Sequence, residues 1–484
     1  MKKILFSVLS AFLICSQLHS NTPETEEITF SADTEKHPLV GLGGMMIFNV
    51  GLAGYNRFAV GSAWAKTGPD DWIHFYERRL SWDNDWYWTN FFLHPYQGSM
   101  YYMSARGANL NTLESMGVTV LGSAIWEYFC EQNSPSINDM AYTTIGSFCV
   151  GEMFFRLSQE ANSKNIILGT ALNPERLWTE YICRVKQKNT HGNIHSMSLA
   201  LGAGTSAGGA FIEDFEIENY ENNFASYELY PVSAGFEFAA DYNDPYGHDS
   251  NSPYSQFTLN VQGGMGKGSG KSGYCAYEDI DRQLFYDIRI FSDAMLFSRA
   301  VNTGSDTDSS LGMTMIYDFE WHSYYMLSSL APGIAFKQRI NRDAGRIEWQ
   351  SQLALILLGT TDYYYFHRKV IDKPRGIFRN YNDTVGIESI GRIKYSTDSG
   401  HVLALDFRGY IMHDFYHQLI KFRDMTQGWE FIGLLGASYE FPVTETFKIG
   451  LRDEVYAKYA LYKSQNDLYQ ILNTAKLYVK IQFK

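Results

Sequence analysis

LYVKIQFK, residues 477–484, sets Leu477, Val479, Ile481 and Phe483 against Tyr478, Lys480, Gln482 and Lys484. Side chains along a strand alternate between its two faces, so the first set makes an apolar face and the second a polar one. A strand in a membrane barrel needs that division, with lipid on one side and the lumen on the other. The same period of two recurs upstream. Phe257, Leu259 and Val261 alternate with Gln256, Thr258, Asn260 and Gln262. Leu311, Met313, Met315, Tyr317, Phe319 and Trp321 alternate with Gly312, Thr314, Asp318 and Glu320. Leu403, Leu405, Phe407 and Ile411 alternate with Ala404, Asp406 and Arg408, and Phe447, Ile449 and Leu451 with Lys448 and Arg452. Val232, Ala234, Phe236 and Phe238 form a further face.

Stretches such as NDPYGHDSNS (243–252) and NTGSDTDSS (302–310) supply turn residues between these segments. At roughly ten residues per strand plus loops, the region 190–484 holds about 12 strands. An amphipathic last strand with a near-terminal Phe is also the form of the sorting strand of outer-membrane barrels. A large soluble β-sandwich shows the same alternation. Composition separates the two. Aromatic residues make up 16% of the chain, with 34 Tyr, 32 Phe and 10 Trp, against 19% charged residues. Barrels concentrate aromatics in girdles at both membrane interfaces.

The start of the chain fits export. Lys2 and Lys3 precede an apolar run, Ile4 to Ile14, and then the small and polar residues Ser16 to Ser20. That order is a secretory signal peptide over residues 1–20, too short for a lasting membrane span. Ile14 before Cys15 argues against lipidation, which favours a small residue there. Four cysteines remain after export, too sparse for a disulfide framework and without zinc-ligand spacing. No metal and no cofactor is expected. A net charge of −13 excludes a nucleic-acid partner, which needs a basic face. Outer-membrane lipids and the barrel-assembly machinery are the expected partners, in the outer membrane of a diderm bacterium.

The region before the strands reads as helix. Residues 21–37 form a polar linker, and 38–185 a helical module. Its first segment, Pro38 to Asn56, is uncharged but carries five glycines and Asn49, a poor transmembrane helix. Glycine-permitted packing against the barrel wall is the expectation for it. Pro95 fits the first residue of a helix that follows His94. Glu127 and Glu131, four apart, are expected on one helical face, and Glu152 and Arg156 form a helical ion pair. Ser136, Asn138 or Asp139 caps a third helix.

From Trp82 to Ser158, polar and charged groups crowd into apolar, aromatic helices: Asn90, His94, Tyr101, Tyr102, Arg106, Glu127, Glu131, Asn138, Asp139, Glu152 and Arg156. Burial of such groups is costly unless they satisfy one another. Trp82-Asp83, His94-Pro95-Tyr96, Tyr101-Tyr102, Arg106, Trp126-Glu127, Pro135-Ser136, Asn138-Asp139, Gly151-Glu152 and Arg156 together resemble the DUF3943 family of bacterial exported proteins. The resemblance implies a helical module joined to an outer-membrane barrel and carries no established activity.

Three readings of the module stay open. It plugs or caps the lumen, its His, Glu, Asn and Arg forming a buried network with lumenal charges. Alternatively, the barrel is a gated porin or transporter of small envelope solutes, lined by Asp318, Glu320, Asp406 and Arg408. The third reading is an envelope lipid- or glycan-modifying enzyme, with His94 as base and Glu127 or Glu131 orienting it. GKGSGKS (266–272) lacks phosphate-loop spacing and reads as a surface loop.

Overall fold

The computed structural model describes residues 35–187, 190–212, 216–217, 220–221, 224–247, 249–272, 275–280, 284–304, 306–368, 370, 379–414 and 427–483. The expected signal peptide, 1–20, and most of the linker lie outside them. The chain forms two compact units, Met1–Ile194 and His195–Lys484.

The second unit is a closed antiparallel barrel of twelve strands. They are β1 Ile194–Ile212, β2 Phe224–Tyr242, β3 Phe257–Ser272, β4 Leu284–Thr303, β5 Thr307–His322, β6 Met326–Arg342, β7 Gly345–Asp362, β8 Tyr381–Thr397, β9 Val402–Asp414, β10 Gly428–Pro442, β11 Phe447–Tyr462 and β12 Leu468–Phe483. β1 pairs with β12 from Met197 opposite Phe483 to Ile212 opposite Leu468, and with β2 on its other side. Closure removes the unpaired edges that cannot exist in lipid. Turns of two to four residues, such as 343–344 and 443–446, gather at the end that holds Ile194 and Phe483. At the other end, β7 closes at Asp362, β9 at Asp414 and β11 at Tyr462, and longer stretches of sequence separate β7 from β8 and β9 from β10. In outer-membrane barrels the short-turn end faces the periplasm.

Alternation explains the wall. On β7, Leu353, Leu355 and Leu357 are exposed while Gln352, Ala354 and Ile356 between them are buried. Leu477, Val479 and Ile481 of β12 are exposed in the same way. Aromatic pairs sit near both ends: Tyr459 stacks on Tyr469 toward the long loops, and Phe336 meets Trp349 toward the short turns.

Inward side chains of the barrel pair with one another across the lumen. Arg289 of β4 donates to Glu454 of β11, nearly opposite, and to Asp287 at 2.8 Å. Arg408 of β9 reaches Asp318 of β5 at 2.7 Å and Glu320 at 2.5 Å. Arg392 holds Asp406 at 2.7 Å. Lys458 of β11 pairs with Asp362 of β7 at 3.5 Å and Glu430 of β10 at 2.9 Å. Tyr325, from the β5–β6 turn, stacks on Tyr456 with ring centroids 3.9 Å apart. At the long-loop end Tyr363 to Phe366 are buried against Tyr462 and Leu468, and the Tyr365 hydroxyl donates to the Asn466 carbonyl at 2.8 Å.

The first unit is helical: α1 Pro38–Gly54, α2 Pro69–Ile73, α3 His94–Gly107, α4 Thr112–Ile125, α5 Ile137–Ala141, α6 Ser147–Lys164 and α7 Ile166–Leu172. Wide π turns extend α1 to Val60, precede α3 over Thr89–Leu93, follow α4 over Trp126–Cys130 and join α5 to α6 over Tyr142–Gly146. α3 is the central helix, with Tyr101, Tyr102, Met103, Ser104 and Ala105 all inaccessible. Small residues let its neighbours close in. A Cβ on Gly98 would lie 2.3 Å from the Thr143 carbonyl oxygen, so only glycine fits there.

Pro38 to Val60 departs from expectation. It is one helix, long and apolar enough to cross a membrane by length and composition. Two of its glycines pack on α3, Gly41 against Ala105 and Gly44 against Ser104, while Gly43 lies against Trp178 and a Cβ on Gly51 or Gly54 would meet nothing within 4 Å. Asn49, the polar residue in that apolar run, is fully buried. It accepts from the Tyr101 hydroxyl and donates to the Gly122 carbonyl at 3.0 Å.

Candidate functional site

The residues singled out in the helical module fall into two clusters. In the first, Glu152 on α6 is fully buried and saturated. Its Oε2 accepts from Arg106 Nε at 2.8 Å and from the Tyr102 hydroxyl at 2.9 Å. Its Oε1 accepts from Arg156 Nε at 2.9 Å, the expected i, i+4 pair, and from a second Arg106 nitrogen at 3.2 Å. Arg106 also donates to the Leu110 carbonyl at 2.8 Å and lies over the Phe155 ring. A carboxylate with two guanidiniums and a phenol is fully satisfied, so this cluster ties α3 to α6. Tyr101 belongs to a neighbouring polar thread, accepting from Gln97 Nε2 at 2.7 Å.

The second cluster gathers where the π turns meet. Such turns shift side chains off the 3.6-residue period and recur at functional sites. Asn90 is fully buried in the turn that leads into α3, and His94 starts that helix. Glu127 lies in the turn after α4 and accepts from the Ser136 backbone N–H at 2.7 Å. Ser136 caps α5, its Oγ accepting from the Asp139 N–H at 3.2 Å. Asn138 joins the turn to the 81–85 stretch: its Nδ2 donates to Asp83 Oδ1 at 2.5 Å, and its Oδ1 accepts from the Asp83 N–H at 3.0 Å. Asp139 Oδ2 stands 3.5 Å from His94 Nε2. Arg78 closes the end of the α4 extension, donating to the carbonyls of Glu131 at 2.6 Å, Asn133 at 2.9 Å, Glu127 at 3.2 Å and Tyr128.

Two expected pairings are corrected. Glu127 and Glu131 do not share a helical face, because the helix ends at Cys130 and Glu131 is extended. Glu131 instead accepts from Trp126 Nε1 at 2.6 Å. Arg106 and Arg156 are both held by Glu152, away from these carboxylates. The carboxylate beside His94 is Asp139. Asp83 and Asp85 belong to the site and were missed. Their sequence signal, two aspartates in the tryptophan-rich WDNDWYW (82–88) just ahead of His94, looks like an ordinary loop.

Burial sets the electrostatics. It draws the His94 imidazole down to about 4, against a smaller upward pull from Asp83. It pushes Asp139 and Glu127 well above the carboxylate range, reinforced by Asp83 and Asp85, and Glu131 up to about 7. Burial thus favours the neutral form of the imidazole and of the Asp139 carboxyl beside it.

Glu175, outside both clusters, gives a pH test of the module. Burial raises its carboxyl to about 7 from 4.5, partly offset by a hydrogen bond with Ser104. Below pH 4.5 both folded and unfolded chains hold the proton, and the group costs nothing. As pH rises toward 7 the unfolded chain releases the proton first, so stability falls, and the full cost persists above 7. That cost is about 3 kcal/mol. Glu175→Gln is expected to be the more stable form at alkaline pH and equal to wild type in acid. Thermal melts of both proteins across that range check it; equal pH slopes contradict it.

Residues 79–178 match the model of DUF3943, a domain of unknown function. The match lies within the helical unit. No curated protein matches the chain. Among solved structures, the transport unit of the autotransporter AIDA-I from Escherichia coli is similar at 12% identity, covering 60% of this chain and 91% of its own, with a TM-score of 0.30. The COG4313 outer membrane channel from Pseudomonas putida F1 is similar at 10% identity, covering 60% and 95%, with a TM-score of 0.29. The outer membrane protease OmpT from Escherichia coli is similar at 7% identity, covering 60% and 97%, with a TM-score of 0.25. None bears on activity.

Proposed function

We propose that the protein is a self-closed barrel in the outer membrane of a diderm bacterium that anchors a DUF3943 domain, and that the buried His94–Asp139 cluster is the working part. One observation carries this reading: the lumen is bridged from wall to wall by Arg289–Glu454, Arg408–Asp318 and Tyr325–Tyr456. A plug was expected to match helical charges to lumenal ones. Here Arg106 and Arg156 are satisfied by Glu152, and Asp318, Glu320, Asp406 and Arg408 by barrel residues. The same pairing counts against a solute passage lined by those four. Outer-membrane lipids around the apolar belt, and the assembly machinery that inserts barrels, are the partners this entails.

A second reading has its own support. His94 and Asp139 stand 3.5 Å apart and buried, an acid–base pair of the kind an enzyme acting on envelope lipid or glycan requires. Planar-bilayer recording of the full-length protein, with insertion verified by heat-modifiable mobility, tests the anchored-barrel reading. A silent, inserted barrel is expected. Stable channel steps overturn it and return the porin to first place.

A further inference from the structure

We infer that Asp85, His94 and Asp139 form a binding site for a divalent transition-metal ion, Zn²⁺ foremost. This deepens the reading of the helical domain as the working part, and it stands or falls on metal binding rather than on barrel closure. One donor atom from each residue lies within 4.8 Å of the others. Around a tetrahedral ion with bonds of about 2.0–2.2 Å, ligand atoms stand about 3.3–3.6 Å apart. Closing that difference takes a small swing of side chains, and Asp85 is not buried.

An independent observation points to a ligand. His94 is only 6% exposed, yet neither of its ring nitrogens makes a hydrogen bond. A buried imidazole with both nitrogens idle is costly, and a metal bond to one of them removes that cost. Acidic groups crowd the site: Asp83 and Asp85 act on Glu127, Glu131 and Asp139, and Glu127 acts on Asp139. Arg78, which acts on Glu131, gives its guanidinium to main-chain carbonyls. A divalent cation suits that concentration of carboxyl groups.

The donor set selects among ions. Imidazole favours Zn²⁺, Fe²⁺ or Ni²⁺ over Mg²⁺ and Ca²⁺, which prefer oxygen alone. Three protein ligands leave a position for water or substrate, the arrangement of catalytic rather than structural zinc. Asn138 then orients the ligands from outside. Its Nδ2 donates to Asp139 Oδ1 at 3.0 Å, leaving Asp139 Oδ2 to face His94.

The test is zinc titration of the full-length protein, refolded in detergent and stripped with chelator, by calorimetry and elemental analysis. One Zn²⁺ per chain is expected, unaffected by millimolar Mg²⁺ or Ca²⁺. Asp85→Asn is expected to weaken binding at least about tenfold, and His94→Ala and Asp139→Asn to abolish it. His74→Ala, at an exposed histidine, is the control for surface binding and should change nothing. Should the buried variants misfold, Co²⁺ on the wild-type protein replaces them: visible d–d bands that shift in Asp85→Asn support the site. No stoichiometric uptake, displacement by Mg²⁺, or a Co²⁺ spectrum indifferent to Asp85→Asn overturns it.

Discussion

Glu152→Ala is expected to cost the helical domain about 3–5 kcal/mol, enough to unfold it at moderate temperature. The substitution strands Arg106 and Arg156, whose side chains are only 20% and 17% exposed, and leaves the Tyr102 hydroxyl without its acceptor. Much of the penalty comes from uncompensated charge rather than from the value of the ion pairs. Glu152→Gln keeps an acceptor for the guanidiniums and should lose distinctly less. Urea unfolding followed by tryptophan fluorescence separates the two variants. Lys36→Ala, which breaks only the exposed Lys36–Glu114 pair, should by contrast leave the transition where it was. Equal, small effects of all three changes would mean that Glu152 is not the tie between α3 and α6.

Arg289→Ala should do the same to the barrel. Arg289 faces Asp287, Glu320 and Glu454, each 10% exposed or less. Without the guanidinium, three carboxylates share Lys476, Arg408 and Arg452. The expected loss is again about 3–5 kcal/mol, read as a lower urea midpoint for the folded, fast-migrating form on gels. Arg289→Lys should fall between, because an ammonium cannot reach opposite walls with the fork of a guanidinium. An unchanged midpoint for Arg289→Ala would show that the cross-lumen pairs do not hold the barrel together.

How much of this could be read in the sequence depends on the range of the interaction. The barrel was legible because lipid on one side imposes a period of two on every strand. Leu477, Val479 and Ile481 state it within a few residues, and no tertiary knowledge is needed. The Glu152–Arg156 pair and the Ser136 cap were legible for the same reason, as local geometry spaces them. Arg106 reaches Glu152 across 46 positions, and His94 meets Asp139 only where three segments converge. No periodicity carries such contacts. The π turns at Thr89–Leu93 and Trp126–Cys130 add a second obstacle, since a 3.6-residue reading of Glu127 and Glu131 points them together when the chain turns them apart. In the lumen, the inward positions of Asp318 and Arg408 were legible from alternation, but not that each finds its partner four strands away. One open reading of the sequence lines a passage with those charges, and their pairing across the lumen is what favours the proposed closure over it.

The most direct test of that closure is planar-bilayer recording of the barrel alone, residues 195–484, refolded without the helical domain. The cross-lumen pairs predict a silent barrel, as for the full-length protein. Steady conductance steps that appear only when the domain is removed would contradict the account and make the helices the plug.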